Sequence, residues 1–372
     1  MKIKDLLNFG SQKLKKAGIR THQLDSEILL SHVFKKSREF ILANLNSGIL
    51  QNTRMQFLKL IEKRRERFPI AYILGHKGFY GLDFYVNKNV LIPRPETEML
   101  VEETLKILRC HSRENGDLYN RNLSCQPASL CEALLAGIPG QARNNKLNIL
   151  EIGTGSGCIS ISILKSLNHL IPKSLNLLFT ATDISSNALK IAAKNAKKYR
   201  VEKRIKFVKS DLLDFIPTDC HSEFISESQK SKTEIPDQVR NDICFDIIIA
   251  NLPYVDKNEI KDELKYEPKE ALFGGAKPTD PIKKLLIQIS RLKSRQIELK
   301  YSQKSTYKSG RFSKWMERKE SQVKPKYILL EIHEKDGKIL KKLAKKYLPE
   351  YSARILKDLA GKDRILELIA KR

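Results

Sequence analysis

A short apolar strand, Asn148–Ile152, runs straight into Gly153-Thr154-Gly155-Ser156-Gly157 and then into a helical stretch from Ile159 to about Leu167. Glycines let the chain turn sharply and leave backbone N–H groups at the head of the helix open to a ligand. A strand that turns directly into a helix commits the segment to a parallel sheet with helices packed on its faces. The chain keeps that rhythm, with strand Leu178–Thr182, helix Ser186–Lys198, strand Ile205–Val208, strand Phe245–Ala250, a helix from about Pro281 and strand Tyr327–Ile332. The last pair, Ala353–Lys357 and Arg364–Ile369, flanks Ala360-Gly361 and reads as an antiparallel hairpin at the sheet edge. The expected fold class is α/β and Rossmann-like.

The chain's 372 residues leave room for a second, smaller domain. Residues 1–75 read as helical, with apolar stripes at Leu6, Leu7 and Leu14, at Leu24, Ile28, Leu29 and Val33, and at Met55, Leu58 and Ile61. Pro69 stops the last of these helices. Residues 76–109 follow as a hairpin, turned at Gly81, then Leu91-Ile92-Pro93-Arg94-Pro95-Glu96-Thr97-Glu98 and a helix to about Leu108. Residues 110–145 lose periodicity and read as an insertion, and 146–372 hold the α/β domain, with further insertions near 219–243 and 291–326.

The net charge of +26 favours polyanions such as ribosomes, tRNA or DNA, or else reflects a lysine-rich proteome. Residues 291–326 hold twelve basic and three acidic residues, interleaved with Tyr301, Tyr307, Phe312 and Trp315. That stretch is either a solvated insertion or an arm that stacks on nucleic acid. The six cysteines make no CxxC pair, so neither a zinc site nor a disulfide framework is expected, and no metal. No apolar run is long enough for a membrane span, and Met1–Leu14 lacks a signal-peptide core, which points to the cytoplasm.

Three further strand ends carry chemistry. Asp183 closes the second strand, where a carboxylate can accept both hydroxyls of a ribose, a geometry that serves NAD and S-adenosylmethionine alike. The third glycine of a dinucleotide fingerprint would fall at 158, which is Cys158. After the third strand, Asp211 can meet an adenine amino group and Leu212 can pack on the ring. The fourth strand ends in Asn251-Leu252-Pro253-Tyr254. An amide or aromatic amine has a delocalised lone pair, so methylating it requires acceptors that hold its N–H groups and aim the nitrogen. The Asn251 side-chain carbonyl and the Leu252 backbone carbonyl supply two, Pro253 biases Leu252 to an extended conformation, and Tyr254 packs on the planar group.

These motifs together resemble the bacterial release-factor glutamine methyltransferases, the PrmC/HemK family. The matching stretches run in order along nearly the whole chain: Pro69–Gly75, Phe79-Tyr80-Gly81, LIPRPETE at 91–98, EIGTGSG at 151–157, Ala181–Asp183, NLPY at 251–254, Glu267-Pro268, Ala271–Gly275 and DLAGKDR at 358–364. The resemblance implies a class I S-adenosylmethionine-dependent methyltransferase fold with an N-terminal helical domain that recruits class I peptide chain release factors. It implies methylation of the glutamine in their Gly-Gly-Gln loop, leaving S-adenosylhomocysteine. By position, Gly153, Thr154, Gly155, Ser156, Gly157, Asp183, Asp211, Leu212 and Asn251 would bind the cofactor. Asn251 to Tyr254 would be catalytic and hold the glutamine, with Arg94 and Glu96 bracing the wall. The family's usual motif is NPPY, and Leu252 departs from it. Two other readings fit parts of the chain: an rRNA adenine dimethyltransferase, which also carries NLPY, and a non-catalytic S-adenosylmethionine-binding remnant.

Overall fold

The computed structural model describes residues 1–114, 146–167, 176–216, 245–256, 264–303 and 325–371. It divides into two compact units, Met1–Ile92 with Lys257–Lys269, and Pro93–Asp256 with Glu270–Arg372.

The first unit begins with five helices, α1 (Ile3–Lys16), α2 (His22–Phe34), α3 (Arg38–Ala43), α4 (Gln51–Arg65) and α5 (Ile70–Leu74). Helix α1 buries Ile3, Leu6, Leu7, Gly10 and Leu14, one face at helical spacing. Gly10 is there for space, since a Cβ would sit 2.6 Å from the Phe57 ring of α4 and 2.8 Å from Ser26 Oγ of α2. Of the expected stripes on α2 and α4, Leu29, Val33, Leu58 and Ile61 pack in the core, and Leu24 and Met55 are exposed. The buried faces also carry Asp25, Ser26 and Leu30 of α2 and Phe57 and Arg64 of α4. Arg64 Nε donates to Asp25 Oδ2 at 2.7 Å, and Ser26 donates to the Leu7 carbonyl at 2.9 Å. The charges are buried as a pair because an unpaired buried charge costs several kcal/mol.

Strands β1 (His76–Phe79) and β2 (Leu82–Tyr85) pair antiparallel, and Tyr80 and Gly81 between them both have positive φ (49° and 71°), the backbone of a tight two-residue hairpin turn. The same unit ties down Glu267, whose buried carboxylate accepts from the Ile92 N–H at 3.1 Å, and Tyr266, whose hydroxyl donates to the Glu66 carbonyl.

The second unit opens with α6 (Glu98–Glu114), which runs beyond the expected end at Leu108. Its sheet contains β3 (Lys146–Ile152), β4 (Asn176–Asp183), β5 (Ile205–Lys209), β6 (Ile247–Ala250), β7 (Tyr327–Glu331), β8 (Tyr351–Lys357) and β9 (Asp363–Ala370). The seven strands lie in the order β5-β4-β3-β6-β7-β9-β8. β3 to β7 are parallel, and the β8–β9 hairpin adds antiparallel strands with β8 outermost. The doubly wound, Rossmann-like α/β class therefore holds. From β3 the chain winds one way to β4 and β5, then returns to the other side of β3 at β6. The tips of β3 and β6 thus flank a topological switch point, where α/β sheets bind ligands.

Helices α7 (Cys158–Leu167), α8 (Ser186–Lys198), α9 (Asp280–Gln303) and α10 (Gly337–Tyr347) cover the sheet. One face packs Leu150, Ile152, Ile248, Ala250, Ile328 and Leu330 against Leu285, Leu286 and Ile289 of α9 and Leu340 and Ala344 of α10. By the two-residue alternation of a strand, Glu151, Ile249 and Glu331 point to the opposite face. Helix α9 runs thirteen residues into the basic stretch expected as an insertion, and α10 had no counterpart in the sequence reading. Its signal was present as Leu340 and Ala344 four apart, hidden among lysines. Most of the three expected insertions lies outside the described residues. No helix among the described residues is long and apolar enough to cross a membrane, and no group of three or more candidate metal ligands is found among them.

Candidate active site

At the tip of β3, Gly153, Gly155 and Gly157 all have positive φ (72°, 54° and 78°), so each position favours glycine. Gly153 and Thr154 donate to the Thr182 carbonyl of β4 at 2.8 and 2.9 Å. Gly157 begins the turn into α7, where a Cβ would press on Ile161 and Ala192 at 3.0 and 3.3 Å. By contrast, a Cβ on Gly155 would meet nothing within 4 Å, so the loop presents open space there. The Thr154 and Ser156 side chains turn inward and are buried. Thr154 Oγ1 donates to Glu151 Oε2 at 2.9 Å, and the Ser156 carbonyl accepts from Asn195 Nδ2 at 2.8 Å. What these two residues offer a ligand is backbone. Burial pushes the Cys158 thiol up to about 12, which makes it an inert packing residue.

Asp183 closes β4 beneath this loop. Its Oδ2 accepts from Gly155 N–H and its Oδ1 from Ser185 N–H, both at 2.9 Å. The Ile184 N–H adds to their pull, and with about four lone-pair sites the carboxylate keeps acceptor capacity for a hydroxyl. Burial pushes Asp183 above the ordinary carboxylate range, against the pull of those N–H groups. Ile184, directly after it, is a large apolar side chain left 53% exposed. The sequence reading missed Ile184; an apolar residue after a strand-end acid is the signal for it. Beyond β5, Leu212 has φ 52° and is buried, whereas Asp211 is exposed and paired with Lys284 at 2.6 Å.

The strand order sets the tip of β6 against the glycine loop. A Cβ on Gly153 would lie 3.5 Å from the Asn251 carbonyl and 3.8 Å from the Leu252 side chain. Leu252 is buried in the core beside Leu150, Ile152 and Leu212, which accounts for an apolar residue at that position. Gly274 packs behind the motif: a Cβ there would lie 2.9 Å from the Pro253 carbonyl and collide with the Pro281 ring. Val255 N–H donates to the Leu272 carbonyl at 3.0 Å, holding the end of the motif. Asn251 Nδ2 donates to Thr97 Oγ1 at 3.0 Å, and the Tyr254 hydroxyl donates to Glu331 Oε1 at 2.8 Å. Burial beside Glu331 pushes the Tyr254 phenol up, so it stays a donor.

Arg94 stands in extended conformation before the turn Pro95–Thr97, and Glu96 is exposed. The charge of Glu96 acts on Glu331, Tyr254 and Arg364. Arg364 is held by Asp358 at 2.7 Å, and Asp358 also accepts from the Ala360 and Lys362 N–H groups at 2.9 Å, which gives the DLAGKDR turn its shape. The structure brings the loop, Asp183 and the NLPY motif to one end of the sheet, beside Glu151, Thr97 and Glu331, to which the sequence assigned no role.

Residues 5–75 match the PrmC N-terminal domain family. The release factor glutamine methyltransferase of Clostridium botulinum is 34% identical over 279 residues, covering 74% of this chain and 77% of that protein. The chain belongs to the release factor glutamine methyltransferase family. A Rickettsia conorii protein named bifunctional methyltransferase is 38% identical over 275 residues, 73% of this chain. The chain spans 45% of the length of that relative. Among solved structures, the N-terminal domain of human METTL16 in complex with S-adenosylhomocysteine aligns at 14% identity and a TM-score of 0.37, covering 91% of this chain and 93% of that one. Within the glutamine methyltransferase family this chain carries Leu252 in its NLPY motif, with the side chain taken up by the core.

Proposed function

We propose that this chain transfers a methyl group from S-adenosylmethionine to the side-chain amide nitrogen of the glutamine in the Gly-Gly-Gln loop of class I peptide chain release factors. The observation that carries this reading is the juxtaposition at the switch point. The glycine loop and Asp183 meet the Asn251–Tyr254 motif there, and Asn251 has its donor end already tied to Thr97. Family membership supports the same substrate class.

The residues present suit the cofactor. Open space over Gly155, spare acceptor capacity on Asp183 and the exposed Ile184 side chain suit a closely approaching ligand, a ribose hydroxyl and an apolar ring face. Gly153, Gly155 and Gly157 bring backbone close, Thr154 and Ser156 contribute main chain, and Leu212 forms part of the floor. For Asp211 to reach an adenine it must leave Lys284. S-adenosylmethionine, when bound, supplies an electrophilic methyl group on its sulfonium.

The protein's part is positioning. Asn251 Oδ1 and the Leu252 carbonyl accept the two N–H bonds of the glutamine amide, so the plane of the amide is set and its nitrogen faces the methyl. On taking the methyl that bound S-adenosylmethionine would supply, the nitrogen would shed one proton to water along one of its two N–H···O contacts. Positive charge grows on that nitrogen, and the two carbonyl dipoles stabilise it without a strong base. Tyr254, fixed through its hydroxyl, offers its ring face to the flat amide, and Arg94 and Glu96 stand at the rim.

The test is transfer of a labelled methyl from S-adenosylmethionine to a purified class I release factor, either wild type or with the loop glutamine changed to alanine, beside an rRNA control. Label on the wild-type factor alone is expected. Label on RNA would overturn the reading in favour of a nucleic-acid amine methyltransferase, and cofactor binding with no transfer would point to an inactive remnant.

A further inference from the structure

An asparagine that holds an amide N–H must present the correct end. Its side chain has a donor end and an acceptor end of nearly the same shape, and only Oδ1 can accept from a substrate nitrogen. Something must therefore prevent Asn251 from turning over.

The structure supplies a chain of groups that does so. Asn251 Nδ2 donates to Thr97 Oγ1 at 3.0 Å, across 154 residues of sequence. Thr97 is 3% exposed, and its hydroxyl has a single proton, left over once it accepts from Asn251. The group against it is Glu331, 2% exposed at the end of β7, next to β6 in the sheet. The Tyr254 hydroxyl donates to Glu331 Oε1 at 2.8 Å, and burial pushes the carboxyl above its ordinary range while the nearby Thr97 and Tyr254 hydroxyls pull it down. Glu331 Oε2 has no hydrogen-bond partner among the described residues. A carboxyl buried this deeply and incompletely bonded is costly, and the cofactor cradle makes no use of it.

We propose that Glu331 and Thr97 are positioning residues that set the polarity of the amide clamp, a proposal that rests on Asn251–Tyr254 being that clamp. Glu331 takes the protons of both hydroxyls. Thr97, its proton spent, can only accept from Asn251, so Asn251 shows Nδ2 to Thr97 and Oδ1 to the substrate. Tyr254 is fixed by the same carboxyl, and one buried acid thus orders both polar side chains of NLPY. Burial opposes the charge on Glu331 most and Glu96 adds to that, while the two hydroxyls and then Arg364, held by Asp358, support it. The direction of the chain matters more than its existence. In Glu331→Gln the new N–H can donate to Thr97, whose own proton then points at Asn251 and turns the amide over. Thr97→Val keeps the shape and removes the link.

Two readouts test this on the full chain. In steady-state transfer to a release factor, E331Q and T97V lose about 100-fold in kcat, the scale of a small misplacement, with KM for both substrates unchanged. T97S keeps the hydroxyl and stays close to wild type. The second readout needs no substrate: the side-chain amide NMR signal of Asn251, assigned by its loss in N251A, exchanges slowly in wild type and freely in T97V. A wild type that methylates no release factor would defeat the proposed function, and the amide signal would still decide the positioning role. Wild-type kcat in both E331Q and T97V, a T97S as impaired as T97V, or equal amide exchange in wild type and T97V would overturn it. If E331Q does not fold, the isosteric T97V carries the test.

Discussion

At the scale of single residues, Glu151 is fully buried under the glycine loop, and burial pushes its carboxyl from the ordinary 4.5 up to about 7. The folded chain therefore keeps a proton that the unfolded chain gives up near 4.5. The contribution to stability is fully present below that pH, declines as the pH rises towards 7, and is level above it. The span corresponds to about 3 kcal/mol. Glu151→Gln removes the titration, so its melting temperature relative to wild type should be higher at pH 8 than at pH 5. An offset that is the same at both pH values would show that the group does not titrate there. Asn251→Ala removes one acceptor from the amide clamp and should lower kcat by about 100- to 1000-fold, by analogy with the loss of one oxyanion-hole donor, while cofactor binding is kept. Isothermal titration beside single-turnover kinetics separates the two effects, and a variant that binds cofactor and turns over normally would remove Asn251 from the site.

At the scale of elements, the β3–loop–α7 unit and the strand tips were legible because their signals are local. An apolar run, a glycine loop and a polar residue at the strand end are read from adjacent positions. NLPY was legible for the same reason, whereas the burial of the Leu252 side chain in the core was not. Thr97 and Glu331 were not. Nothing in the residues around Glu331 separates it from any other acid at a strand end. Its meaning comes from β7 lying next to β6, and from Tyr254 and Thr97 arriving from distant parts of the chain. The Asp25–Arg64 pair was hidden for a related reason, since it links two helices whose separate patterns say nothing of it. Gly274 is an element-scale constraint too. Gly274→Ala forces a methyl between Pro253 and Pro281 and should destabilise the protein by about 1–3 kcal/mol, with a further loss of activity as the NLPY turn shifts. Urea unfolding measures the first effect, and a variant of unchanged stability would mean that the loop relaxes freely.

At the scale of the whole molecule, the sheet order makes one site out of segments far apart in sequence. The loop after β3 and the turn after β6 are neighbours only because the chain reverses its winding between them. A ligand bound there stabilises the folded state alone, so S-adenosylmethionine at a hundred times its dissociation constant should add about 2.7 kcal/mol of stability. Asp183→Ala, which removes the ribose acceptor, should lose most of that gain at the same concentration, and an unchanged thermal shift would place the cofactor elsewhere. Where the methyl goes decides the function. Fragment-ion mass spectrometry on a class I release factor, after incubation with this protein and S-adenosylmethionine, reads that directly. One added methyl on the side chain of the loop glutamine, absent when Asn251 is alanine, is the predicted result. A methyl on any other residue, or one that persists in N251A, would contradict it.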